Sequence, residues 1–183
     1  MIACLGWGSL IWDPRALFTS PPWREDGPLV RVEFLRISDK RRSRVTLVLD
    51  ASAEPVKSLW APMNTQDLQV AAESLRAREG VPKSNMARDI GVWSRGDRSP
   101  SLIPNLAQWA ERQKLDAVIY TNLGRNFHED GRVATADEVV GYLRRLEGSV
   151  LKEVEKYVRK APPQINTAYR SRIERALGWK PVI

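Results

Sequence analysis

Two short stretches carry side chains suited to chemistry. The first, "GWGSL" at residues 6–10, sets a lone hydroxyl between glycines and aromatics directly after the first apolar run. In a glycine-flexed turn, successive backbone N–H groups can point into one concavity and hold a carboxylate, and Ser9 can add a hydroxyl. A tight turn packed between Trp7 and Trp12 accounts for the same residues without a ligand. The second stretch is "ESLRAREG" at residues 73–80. Leu68, Ala72 and Leu75 follow helical spacing, and Glu79 falls on the same stripe. This aims an acid at the core side of a last helical turn, where partial negative charge and desolvation both disfavour the ionised form. A carboxyl so placed suits proton transfer. The competing reading pairs Glu79 with Arg76 on the surface, with Glu73 and Arg76 on the exposed face.

Other chemistries find less support. "GWGSLI" lacks the third glycine of a dinucleotide fingerprint, and Pro14 interrupts the helix that should follow. There is no G-x-S-x-G, and the single histidine, His128, lies in "NFHEDG", which reads as a solvated polar turn. Ser9 is therefore not expected to be a Ser–His nucleophile. One histidine and one cysteine do not make the usual zinc sets, and no acidic run has calcium-loop spacing. No metal and no cofactor are expected.

The elements that must position these residues are short strands with helices between and after them. β-Branched and aromatic runs over 2–5, 30–37, 44–49, 57–62, 90–93 and 116–123 read as strands. A helix is expected from an N-cap at Asn64 to a stop at Gly80, and a second over "IPNLAQWAERQK". A third opens with a capping box, Thr135 with Glu138. The tail from Ser149 is helical and charged, breaks at Pro162–Pro163, and ends in a helix from about Thr167 to Leu177 before Gly178. The pattern predicts an α+β fold with a small mixed β-barrel or strongly curved sheet and peripheral helices. Residues 1–148 form the expected main domain, and 149–183 a helical extension packed on it or on a partner. Trp23, Trp60, Trp93, Trp109 and Trp179 are expected in the core.

The chain has 183 residues and a formal net charge of +7. That balance admits nucleic acid or small anions as partners. The densest basic cluster, Lys40 to Arg44, falls between two strand runs and reads as a solvated hairpin. No apolar stretch approaches a bilayer span and no signal peptide is evident, so no membrane association is expected. A single cysteine fits a reducing compartment, and a cytoplasmic protein is the expectation.

Three stretches, in order, resemble the γ-glutamylcyclotransferase superfamily, nearest to its ChaC-type, glutathione-degrading branch. "GWGSLIWDP" is similar to the family's Y-G-S-L-[IV]-W-x-P opening. "SRVTLVLDASAEPVKSLWAPM" is similar to its G-R-V-x-T-L strand and the following W-G-x-A-Y strand. "LRAREG" is similar to its Y-L-x-x-R-E segment, whose glutamate is the general acid/base. The resemblance implies that Glu79 is catalytic and that Trp7, Gly8, Ser9 and Leu10 hold the anionic end of a γ-glutamyl substrate. "VIYTNL" resembles a later barrel strand, which would put Tyr120 and Asn122 in the pocket lining. Trp7 stands where the family has tyrosine, and "GVPKSN" follows Glu79 where the family often has Gly-Gly-Tyr. The implied reaction is cyclisation of a γ-glutamyl amine or peptide to 5-oxoproline, without a cofactor. The alternative is a catalytically inactive binding or regulatory protein on the same scaffold, with a protein or nucleic-acid partner.

Overall fold

The computed structural model describes residues 1–38 and 44–182. The basic cluster from Lys40 to Ser43 lies outside the described residues, so the hairpin expected there is not assessed. The class is mixed α+β. The described strands make two open sheets, one of four strands and one of three, rather than the closed barrel that the strand pattern admitted. No helix among the described residues is long and apolar enough to cross a membrane. The chain divides into two compact units, Met1–Val30 with Lys57–Leu123, and Arg31–Val56 with Gly124–Ile183.

In the first unit, β1 (Ile2–Gly6) is buried along its whole length. It lies between β5 (Leu59–Pro62), which it pairs antiparallel, and β7 (Ala117–Thr121), which it pairs in parallel. A strand paired on both edges and covered on both faces needs no polar positions, which explains its uninterrupted apolar sequence. β6 (Ile90–Ser94) closes the order on β7 with Trp93 opposite Val118. The strand expected over 57–62 is split at Ser58, because its N–H and hydroxyl both turn to the carbonyl of Pro28, at 3.0 and 2.7 Å. Alternate residues Ile2 and Cys4 of β1 and Ala117 and Ile119 of β7 join Ala71, Ala72 and Leu75 in one core cluster. The last three belong to α1 (Leu68–Glu79).

The N-cap of α1 is Asp67, not Asn64. The Asp67 carboxylate accepts from the amides of Gln69 and Val70 at 2.8 and 3.1 Å, while Asn64 is occupied by Ser20 and Thr19. Gly80 ends the helix at φ +67°, a conformation that L side chains rarely adopt. After α1, a turn of 3₁₀ helix leads into the short α2 (Met86–Asp89). On β5, Trp60 meets Trp109 of α3 (Leu106–Arg112) edge to face, with centroids 5.4 Å apart. Asp26 takes both indole N–H groups, one on its carboxylate and one on its carbonyl, each at 2.8 Å.

The second unit is built on β2 (Leu29–Ser38), paired antiparallel with β3 (Arg44–Leu49) and flanked on its other edge by β4 (Pro55–Lys57). A bulge interrupts the β2–β3 register between Phe34 and Arg36. The expected capping box opens α4 (Ala136–Arg144), with Thr135 and Glu138 bonding each other's backbone. α5 (Gly148–Lys160) stops before the two prolines, and α6 (Ala168–Leu177) runs from a Thr167 cap to Gly178. Both helices of the tail belong to this unit, where the Tyr157 ring meets Phe34 edge-on at 6.4 Å. His128 does sit in a turn, closed by Gly131 N–H on its carbonyl. Its imidazole is nonetheless mostly covered, at 22% exposure, against Phe127 and near Glu138, and is not solvated as the sequence suggested. Trp60, Trp93, Trp109 and Trp179 are buried, and Trp23 packs partly buried against the first unit's core.

Candidate functional site

The serine turn begins where β1 ends. A Cβ on Gly6 would stand 2.6 Å from the Trp23 ring, so only glycine lets the strand leave its sheet under that indole. Gly8 then accepts from the Ile11 amide at 3.1 Å, and Ser9 from the Asp13 amide at 2.9 Å. These bonds consume the amides of Ile11 and Asp13 and take none from Trp7, Gly8, Ser9 or Leu10. Trp7 and Leu10 are buried at 5% and 6% exposure, which fixes the turn on both sides, while Ser9 is half-buried.

The turn is tied to the end of α1 by Arg78. This guanidinium is almost fully buried, and each of its nitrogens has an acceptor. Nη2 donates to Ser9 Oγ at 3.0 Å and to the Asp13 carbonyl at 2.7 Å, and Nε reaches the same carbonyl at 3.2 Å. Nη1 donates to Glu79 Oε1 at 2.9 Å, with side chains 5% and 15% exposed. A planar five-donor fork suits this kind of bridging, which a lysine ammonium could not reproduce. Sequence reasoning found Ser9 and Glu79 but missed the residue that joins them. The signal was available, since Arg78 lies three residues after Leu75 and shares its buried stripe.

Glu79 does not pair with Arg76. Arg76 is engaged by Glu73 through two hydrogen bonds of 2.8 and 2.7 Å, which hold the Glu73 carboxyl below its ordinary range. Glu79 Oε1 instead receives Arg78 and, at 3.5 Å, the hydroxyl of Thr121 on β7. Oε2 receives no hydrogen bond from the described residues. Cys4 is a near neighbour: burial pushes its thiol far up, Glu79 adds to the rise, and Arg78 opposes it. The acid thus keeps one oxygen anchored and one free, an arrangement able to accept and return a proton.

Tyr120 and Asn122 are not brought to Glu79. Side chains alternate along a strand, so Thr121, not its neighbours, shares the face that reaches the acid. The Tyr120 ring lies against Gly91, with its phenol pushed up by burial. Asn122 is exposed and donates to the Arg88 carbonyl at 2.9 Å. Among the described residues no three His, Cys, Asp or Glu side chains converge as a metal-ligating group. Comparison of the chain with family models, curated proteins and solved structures finds no match.

Proposed function

We propose that the chain is a γ-glutamylcyclotransferase-like enzyme, on a scaffold of that kind, which converts a γ-glutamyl amine or peptide to 5-oxoproline and the free amine. The observation that carries this reading is the single guanidinium shared by Ser9 and Glu79, at 3.0 and 2.9 Å. It supports the joining of an anion-holding turn and a proton-transferring acid into one site. The α-amine of the γ-glutamyl group attacks its own γ-carbonyl, forming the ring C–N bond. Glu79 takes the proton that this amine must lose and returns it to the departing amine as the γ-amide bond breaks. The reaction balances with no external nucleophile and no redox partner. Backbone amides of Trp7, Gly8, Ser9 and Leu10 hold the substrate's α-carboxylate, and this fixes a ring-closing conformer.

The test is 5-oxoproline release, followed by mass spectrometry, from glutathione, a γ-glutamyl dipeptide and a γ-glutamyl amine. At least one should turn over, and Glu79→Gln should lower its rate by about 10²- to 10⁴-fold in a chain that still folds cooperatively, at a melting temperature reduced by the loss of the Arg78 counter-ion. Full turnover in that variant removes the mechanism. No product from any compound rejects the enzyme in favour of a binding or regulatory protein.

A further inference from the structure

A second concavity lies in the first unit, along the stripe of α1 that carries Val70, Glu73 and Ala77. It is a groove of about 770 Å³, walled on its other side by Arg15, Phe18, Lys83 and Met86. The groove is preformed. The Phe18 amide donates to Ser74 Oγ at 2.9 Å, and its carbonyl accepts from the Asn64 amide at 2.7 Å. On this anchored backbone the Phe18 ring stays 48% exposed, and Val70, beside the capped start of α1, 41%. Large apolar side chains held out on firm backbone mark a surface that something apolar covers.

The charge around the groove selects what that is. Its acid, Glu73, is neutralised by Arg76 through bonds of 2.7 and 2.8 Å. The Lys83 ammonium makes no ion pair or hydrogen bond among the described residues, though its charge helps hold the Glu73 carboxyl down from a distance. Arg15 is held at φ +52°, and its one ion pair among the described residues is with exposed Asp13 at 3.3 Å, a contact of little strength in water. The walls therefore present an apolar floor whose lining cations, Arg15, Arg78 and Lys83, outnumber its one acid, Glu73. A pocket of about 300–1,000 Å³ is the size that takes a small molecule. A stable protein partner would need about 1,600 Å² of buried surface.

We propose that this groove binds a small amphipathic carboxylate, its apolar body on Phe18, Val70 and Met86 and its anion toward Lys83 and Arg15. The unbranched Met86 can adapt to the ligand's shape. Arg78 borders this groove as well as holding Glu79, but Glu79 itself does not line it, and the proposal does not rest on the cyclisation reading.

The test is titration calorimetry of the full chain with decanoate, and with decan-1-ol as the uncharged control. Decanoate should bind saturably at one site, about tenfold more tightly than the alcohol. Lys83→Gln and Val70→Glu should each weaken it about fivefold or more, with melting temperatures unchanged. Glu79→Gln should bind it as the parent does. The proposal is overturned by equal affinity for alcohol and acid, by affinity untouched in both groove variants, or by no saturable binding. A doubling of mass in light scattering that Val70→Glu abolishes would also overturn it, because the groove would then be a face between two copies.

Discussion

Ser9 and Arg78, 69 positions apart in the chain, meet through a 3.0 Å hydrogen bond between Oγ and Nη2. The contact gives a buried cation its neutral acceptor on one side while its carboxylate partner stands on the other. A guanidinium at 5% exposure is tolerable only because the carbonyl of Asp13, the hydroxyl of Ser9 and the carboxylate of Glu79 all accept from it. The turn and the helix end are thereby held as one piece, so the proposed anion site and acid would keep their spacing before any substrate arrives.

Removing that cation should be costly in two ways. Arg78→Ala leaves a largely covered Glu79 carboxylate unpaired and should lower unfolding free energy by about 3 kcal/mol. Ser9→Ala removes one acceptor and should cost about 1 kcal/mol in the parent, but close to nothing in the Arg78→Ala background. Urea denaturation of the four proteins measures this cycle. Additive losses would mean that the Ser9–Arg78 bond contributes nothing. Arg78→Lys should keep the fold yet slow 5-oxoproline release about tenfold or more, since one ammonium cannot serve both Ser9 and Glu79.

The start of the serine turn is equally exacting. Gly6→Ala would place a methyl 2.6 Å from Trp23 Cζ3 and 3.2 Å from Ile11 Cγ1. Overpacking of this kind typically costs about 1–3 kcal/mol. The expected readout is a lowered urea midpoint together with a shifted tryptophan emission, because the indole has to move. Unchanged stability and emission would show that the ring yields freely.

What could be read from sequence follows the reach of each contact. Gly80, Gly178 and the Thr135–Glu138 capping box were legible because each acts within four residues of itself. Asn64 and Asp67 are equally good caps by type, and the choice between them is made by Thr19 and Ser20, far upstream. The break in the strand at Ser58 depends on Pro28 in the same way. Arg78 was missed for a related reason. A charged residue in a helix is normally solvated, and here its burial depends on acceptors 65 and 69 positions away. The proximity of Ser9 and Glu79 was implied by the family resemblance, and the stripe shared with Leu75 pointed to Arg78, but only its distant acceptors explain how a buried cation joins the two.

Arg170 is a second buried guanidinium, and its role is structural. At 1% exposure it donates to the carbonyls of Ala161, Pro162 and Ile165, at 2.6, 2.6 and 3.0 Å, where the chain passes from α5 to α6. These carbonyls belong to a segment that its prolines keep out of a helix, so they have no ladder to join. Arg170→Met preserves much of the apolar stem but takes the guanidinium from the carbonyls of Ala161 and Ile165, while that of Pro162 keeps the Ile165 amide at 2.9 Å. It should cost about 3–5 kcal/mol, read as a fall in thermal midpoint. A loss below about 1 kcal/mol would mean that water replaces the guanidinium there.

Glu33 should make stability depend on pH in an unusual direction. Its carboxylate accepts from the Thr167 hydroxyl at 2.5 Å and from the amides of Phe34 and Tyr169 at 3.0 and 3.2 Å, which anchors the start of α6. Burial nevertheless dominates and pushes its pKa up from 4.5 to about 6, with Asp50 adding to the rise. Burial opposes the Asp50 charge, but the Ser52 hydroxyl and amide, and then Arg125 at 2.7 Å, hold its carboxyl below the usual carboxylate range, so its own titration falls at lower pH. As pH falls, the folded chain takes up the Glu33 proton before the unfolded chain does. The contribution from this residue is therefore fully present below about 4.5 and is lost as pH rises through about 6, a change on the order of 2 kcal/mol. Urea midpoints from pH 4.5 to 7.5, compared between the parent and Glu33→Gln, isolate this term because other titrations cancel in the difference. The parent should gain on the variant as pH drops across that window, and parallel profiles would show that Glu33 titrates in the folded protein as it does in the unfolded chain.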